Sequence, residues 1–126
     1  MNRKVGLWID HNEAVIVSIT GTLGEVKSIP SEIEKYVRFS DGAQKISAEE
    51  MSNRRVTNRL KKYYDKVISL VSDAESLLIV GPDEAKIEFK KRFERGKRNG
   101  RVINLETADN MTEPQIAAKV RGYYST

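Results

Sequence analysis

The sequence predicts a single α/β domain over residues 1–126, with a five-stranded mixed sheet in the order 3-2-1-4-5 and helices on both faces. Three observations carry this. Two strand-like runs stand at the N-terminus with only turn residues between them. The run "SLLIV" at 76–80 is short and continuously apolar. From residue 47 onward, helical patterns alternate with strand-like ones.

The opening runs are "RKVGLWID" and "EAVIVSIT", separated by the turn residues Asp10-His11-Asn12. Val, Ile and Trp enrichment suits a pleated, half-buried surface. In the second run Val15, Val17 and Ile19 alternate with Ala14, Ile16 and Ser18, so one face is apolar. "GTLG" turns the chain into a third run, "EVKSIP", which Pro30 ends. Three strands joined by tight turns make an antiparallel meander.

Ser47 and Glu50 have the spacing of a capping box, which starts a helix running to about Asp73. Met51, Val56, Leu60, Tyr63, Tyr64, Val67 and Val71 fall near helical spacing and form its buried stripe. "SLLIV" has the pattern of a central parallel strand covered on both faces. Pro82 and Asp83 open a second helix with Ala85, Phe89 and Phe93 inside, and Gly96 stops it. "RVINLE" is a fifth strand, and Thr112 with Gln115 caps a last helix from about Glu113 to Tyr123. Two right-handed crossovers place strands four and five parallel to the first. The arrangement is ribonuclease-H-like.

Composition narrows the function. The chain has 126 residues, 39% hydrophobic and 32% charged, as expected of a globular domain with one core. No apolar run approaches the roughly 18 residues that span a bilayer, and "MNRKVGLWID" enters a strand rather than a signal-peptide core. A cytoplasmic protein with no membrane partner is expected. With no cysteine and one His, neither a disulfide framework nor a zinc site is expected, and no cofactor is implied.

The net charge of +4 is unevenly distributed. Lys86 to Arg101 holds eight basic residues against two acidic ones, and Arg54 to Lys66 holds six against one. The remainder of the chain is acidic. Either run alone is explained by a solvated helix face, but the polarity of the whole chain favours an anionic partner such as RNA, with Arg54, Arg55, Arg59, Lys62, Lys90, Lys91, Arg95, Lys97 and Arg98 as the contact residues. An acidic protein held on the same basic faces is a further alternative.

Several stretches also resemble a known family. "VGLWIDHNEAVIVSI", "NRRVTNRLKKYYDKV" and above all "SLLIVGPDEAKIEFKKRF" are similar to the middle domain of eukaryotic and archaeal peptide-chain release factors and Pelota, and to its stand-alone bacterial relatives. The resemblance covers roughly residues 5 to 106. It implies a translation-associated protein that meets ribosomal or transfer RNA, or the ribosome itself. In release factors a Gly-Gly-Gln loop lies between the meander and the long helix, and here Gly42-Ala43-Gln44 lies in that interval. The resemblance carries over Gly42 and Gln44 as candidate catalytic residues for hydrolysing peptidyl-tRNA, with Ala43 a departure. That reaction needs a water placed on an ester carbonyl and a donor for the developing oxyanion, which a glutamine on a glycine loop can supply. If position 43 needs a positive φ, Ala costs about 1 kcal/mol more than Gly there. RNA binding without hydrolysis is the expected function, and hydrolysis at Gln44 is the alternative.

Other chemistry has less support. A two-metal nuclease would need Asp10, Asp83, Glu84 and Asp109 to converge, whereas a turn and a helix cap explain Asp10 and Asp83 without metal. His11 has no nucleophile at a recognisable spacing and is expected in a turn. Trp8, Tyr63 and Tyr64 have core spacing, which leaves Tyr123 and Tyr124 as the aromatic candidates for a contact surface.

Overall fold

The computed structural model describes residues 3–20, 23–33, 54–96 and 102–125. The strands are β1 (Lys4–Ile9), β2 (Glu13–Thr20), β3 (Leu23–Pro30), β4 (Ser76–Gly81) and β5 (Val102–Thr107). The helices are α1 (Arg54–Val71), α2 (Ala85–Arg95) and α3 (Glu113–Tyr124). The sheet order is β3-β2-β1-β4-β5, with β2 antiparallel to both neighbours and β1, β4 and β5 mutually parallel. The predicted strand order and directions are those observed, and β4 lies inside the sheet as its apolar run requires.

Two cores flank the sheet because side chains alternate along every strand. Val5, Leu7, Ile9, Ala14, Ile16, Leu77 and Ile79 face α1 and α2, where Tyr63, Tyr64, Val67, Ile68, Val71, Phe89 and Phe93 meet them. Trp8, Val15, Val17, Leu78 and Val80 face α3 and its Ile116, Ala117 and Val120. Phe89 and Phe93 have no exposed surface, and burial of each contributes roughly 1.5–3 kcal/mol. Gly6 lets α3 settle on β1, since a Cβ there would stand 2.2 Å from Cγ2 of Val120. The Nε1 of Trp8 is buried without a hydrogen-bond partner among the described residues, a cost set against burial of the whole indole.

The last helix follows its sequence signals closely. Thr112 Oγ1 accepts from the Gln115 backbone N–H, and Gln115 Oε1 accepts from that of Thr112, a complete capping box. Gly96 closes α2 by donating its N–H to the Phe93 carbonyl. Three details differ from the sequence reading. β3 begins at Leu23 rather than beyond "GTLG", because the ladder continues through Ile19↔Gly24 and Thr20↔Leu23. Both faces of β2 are buried, since helices cover the sheet on each side. Tyr124 is held inward, its hydroxyl donating to the Val5 carbonyl at 2.9 Å, so only Tyr123 is an exposed aromatic at that end. The capping box of Ser47 and Glu50, and Met51, lie outside the described residues.

Candidate nucleic-acid interface

The first basic run falls on α1 and the second, as far as Arg95, on α2, and the two helices pack against the same face of the sheet. Between them is a groove of about 350 Å³. α1 lines it with Thr57, Leu60, Lys61 and Tyr64, and α2 lines it with Glu88, Lys91, Arg92 and Arg95. Both sets have the spacing i, i+3, i+4, i+7, so each is one continuous stripe of its helix. Two helices in contact through their inner faces leave these flanking stripes opposite one another.

Four of the eight lining residues are cations. Arg92 forks onto Asp65, with Nε and a terminal nitrogen at 2.7 and 2.9 Å from its two carboxylate oxygens. That hydrogen bond raises the Arg92 pKa above its ordinary value, partly opposed by burial. Lys61, Lys91 and Arg95 make no ion pair among the described residues. Lys61, Lys91 and Arg95 are exposed. The groove thus carries three exposed cations without an ion pair among the described residues and a fourth held by Asp65, with Glu88 the one carboxylate in its lining.

One end of the groove is built differently. The Tyr64 hydroxyl donates to Glu88 Oε1 at 2.7 Å, and Nε2 of His11 lies 3.2 Å from the same oxygen. Burial pushes the Tyr64 hydroxyl far above its ordinary pKa, reinforced by the hydrogen bond and charge of Glu88. Tyr64 therefore stays a donor throughout the physiological range. Tyr63 is raised in the same way, by burial first and then by Asp10 and Glu13, while its hydroxyl donates to the Asp10 carbonyl at 3.0 Å. His11 does lie in the β1–β2 turn, and its ring reaches across to α2.

The predicted contact residues are distributed as follows. Lys91 and Arg95 line the groove, and Lys62 is exposed on α1 but is not among the residues that line it. Lys90 lies outside the groove, half-buried and 3.1 Å from Glu94 one turn on. Arg59 is engaged with the chain that leaves β3: its Nε donates to the Ser31 carbonyl at 2.7 Å and a terminal nitrogen lies 3.4 Å from Glu32. Glu32 has a φ of 62°, the left-handed region, and this guanidinium helps to hold it there. Arg54 and Arg55 belong to the first turn of α1, and their side chains lie outside the description. Gly42, Gln44, Lys97 and Arg98 also lie outside the described residues.

Sequence reasoning missed Lys61, Arg92, Tyr64 and Glu88 as groove residues. The signal was present as the matched i, i+3, i+4, i+7 stripes, but only helix packing shows that they face one another. Two of the four carboxylates considered for a nuclease, Asp10 and Asp83, have local duties. Asp10 Oδ1 accepts from the N–H groups of Asn12 and Glu13, both at 2.8 Å, and Asp83 Oδ1 accepts from that of Ala85 at 3.3 Å. Among the described residues, no three or more His, Cys, Asp or Glu side chains group as a metal site. No helix among them is long and apolar enough to cross a membrane.

The fold and groove define an α/β domain with a mixed five-stranded sheet and a cationic cleft between the two helices of one face. Solved structures share this architecture. An archaeal translation termination factor, aRF1, matches with a TM-score of 0.60 and 16% identity, covering 91% of this chain and 32% of that one. The Pelota protein of Thermoplasma acidophilum matches with a TM-score of 0.56 and 17% identity, over 92% of this chain and 31% of that one. A further archaeal protein matches at 0.60 and 16%, over 98% of this chain and 34% of the other. The chain thus spans about a third of the length of each. At such identities the likeness is one of fold, and it accords with the middle domain of the release-factor and Pelota family that the sequence motifs resemble. No protein-family model matches the sequence, and no curated protein matches it.

Proposed function

We propose that this chain acts in translation as an RNA- or ribosome-binding domain, holding phosphate backbone in the groove between α1 and α2. The carrying observation is that two basic runs, separated in sequence by β4, come together across one groove through Lys61, Lys91, Arg92 and Arg95. The fold shared with a translation termination factor and Pelota supports the setting. Binding of this kind follows charge and shape and has little sequence dependence in its phosphate contacts. The RNA is ribosomal or transfer RNA.

Sedimentation with ribosomes over a salt series tests the proposal. The protein is expected in the pellet at low salt and progressively in the supernatant as salt rises. With Lys61, Lys91 and Arg95 each releasing about 0.9 counterion from duplex phosphate, the log–log slope is roughly −3. A protein that never pellets, or that pellets independently of salt, contradicts it. Capture of an acidic protein with no affinity for RNA would support the scaffold alternative instead.

Hydrolysis of peptidyl-tRNA is a second reading, carried only by the sequence Gly42-Ala43-Gln44. The same ribosomal preparation is expected to release no peptide. Turnover that disappears in Gln44→Ala would make that motif the active site.

A further inference from the structure

We infer that Glu88 makes the groove selective for unpaired RNA bases that carry an exocyclic amine, cytosine in particular, over uracil. The inference rests on the RNA-binding reading above and goes beyond it, from backbone attraction to base discrimination.

A carboxylate on the wall of a phosphate-binding groove is unfavourable for the phosphate itself. Glu88 repels phosphate, yet it opens the α2 stripe that continues through Lys91, Arg92 and Arg95. Its Oε1 is fixed by two partners, the Tyr64 hydroxyl at 2.7 Å and His11 Nε2 at 3.2 Å. Oε2 makes no hydrogen bond among the described residues, and the Glu88 side chain is 43% exposed. The side chain is thus oriented at one oxygen and open at the other. An ionised carboxylate has only acceptor capacity, so on the edge of a base it can bind only an N–H donor.

The bases differ in what they offer it. Cytosine presents the N4 amine on its pairing edge, and a carboxylate accepting from that amine is an established pairing of side chain and base. Uracil presents a carbonyl oxygen in the same place, which a carboxylate repels, and its one pairing-edge donor, N3–H, lies between two carbonyl oxygens. The pairing edge is accessible only in unpaired RNA, where bases turn outward onto protein surfaces. Leu60 supplies an apolar wall beside such a base, while Lys61, Lys91 and Arg95 stand along the same groove for its phosphates. Tyr64 and His11 act as positioning residues: they touch Glu88 rather than the base.

Cytosine and uracil have nearly the same size and shape, so one exchange isolates the amine. Two hairpin RNAs with identical stems, one with a cytidine loop and one with a uridine loop, are titrated with the full chain by fluorescence anisotropy. The parent is expected to bind the cytidine loop about 5- to 10-fold more tightly, as befits one charge-assisted hydrogen bond. In Glu88→Gln the carboxamide can either donate or accept, so the two affinities should come within about twofold of each other. Tyr64→Phe keeps every charge but frees the carboxylate, and should narrow the ratio part of the way. Lys91→Glu should weaken both RNAs equally and keep the ratio.

Equal binding of the two loops by the parent overturns this inference while leaving RNA binding intact. A ratio that persists in Glu88→Gln overturns it as well, by placing the discrimination elsewhere. Failure to bind either RNA overturns both this inference and the proposed function.

Discussion

Gly81→Ala is expected to destabilise the fold by about 3 kcal/mol, at the upper end of what overpacking costs. A Cβ at position 81 would stand 2.3 Å from the Ile9 carbonyl oxygen and 3.4 Å from its carbon. The obstacle is the backbone of the neighbouring central strand, which cannot rotate aside as a side chain does. Relief requires β4 to part from β1 at its C-terminal end. β4 supplies Leu77 and Ile79 to one core and Leu78 and Val80 to the other, so both would loosen. The Gly81 carbonyl also accepts from the Ala108 N–H at 3.0 Å, a link that fixes the path from β5 toward α3. Gly122→Ala is the internal control. Nothing lies within 4 Å of a Cβ there, and the residue is helical, so alanine should stabilise by up to about 0.5–1 kcal/mol. Urea midpoints at unchanged m-value measure both. Equal stability of Gly81→Ala and the parent would contradict the close approach of β1 and β4.

The second large effect is on binding. Lys91→Glu combined with Arg95→Glu is expected to lower RNA affinity on the order of 100-fold at 0.1 M salt and to reduce the salt slope by about 2. Both residues are exposed and neither makes an ion pair among the described residues, so the exchange removes charge without removing a structural contact. The fold should be unaffected, since exposed substitutions away from special features stay within about 0.5 kcal/mol. Lys90→Glu offers a comparison on the same helix. Lys90 lies outside the groove beside Glu94, so its reversal should cost far less affinity. Equal losses from Lys90→Glu and from the double variant would mean that net charge, rather than the groove, governs binding.

Much of this architecture was legible in the sequence because each element carries its own local pattern. The apolar run at β4 needs cover on both faces, and this alone puts it inside the sheet. Thr112 and Gln115 announce α3 through a reciprocal cap that depends only on a spacing of three. The limits of β3 were less legible, since a hairpin ladder can extend through Leu23 and Gly24 as readily as it can stop before them.

The groove was only half visible. Basic residues on helices can be counted, but their neighbours across a helix pair cannot. Lys90 and Lys91 are adjacent in sequence, yet helical geometry sends only Lys91 to the groove. Arg59 reads as a free cation until the backbone of Ser31 is seen to lie against it. His11 and Glu88 are 77 positions apart, and no spacing rule connects a turn to a helix over such a separation. Contacts of that kind arise from topology, here from β1 and α2 meeting at one edge of the same core.

In the proposed function, RNA binds in the groove between α1 and α2. Titrating isotope-labelled protein with a short structured RNA, and following the backbone amide resonances, tests it most directly. The predicted result is salt-sensitive shifts concentrated at Lys61, Tyr64, Glu88, Lys91 and Arg95, with β3 and α3 unchanged. Shifts confined to β3 or α3, or no shifts at any RNA concentration in low salt, would contradict it.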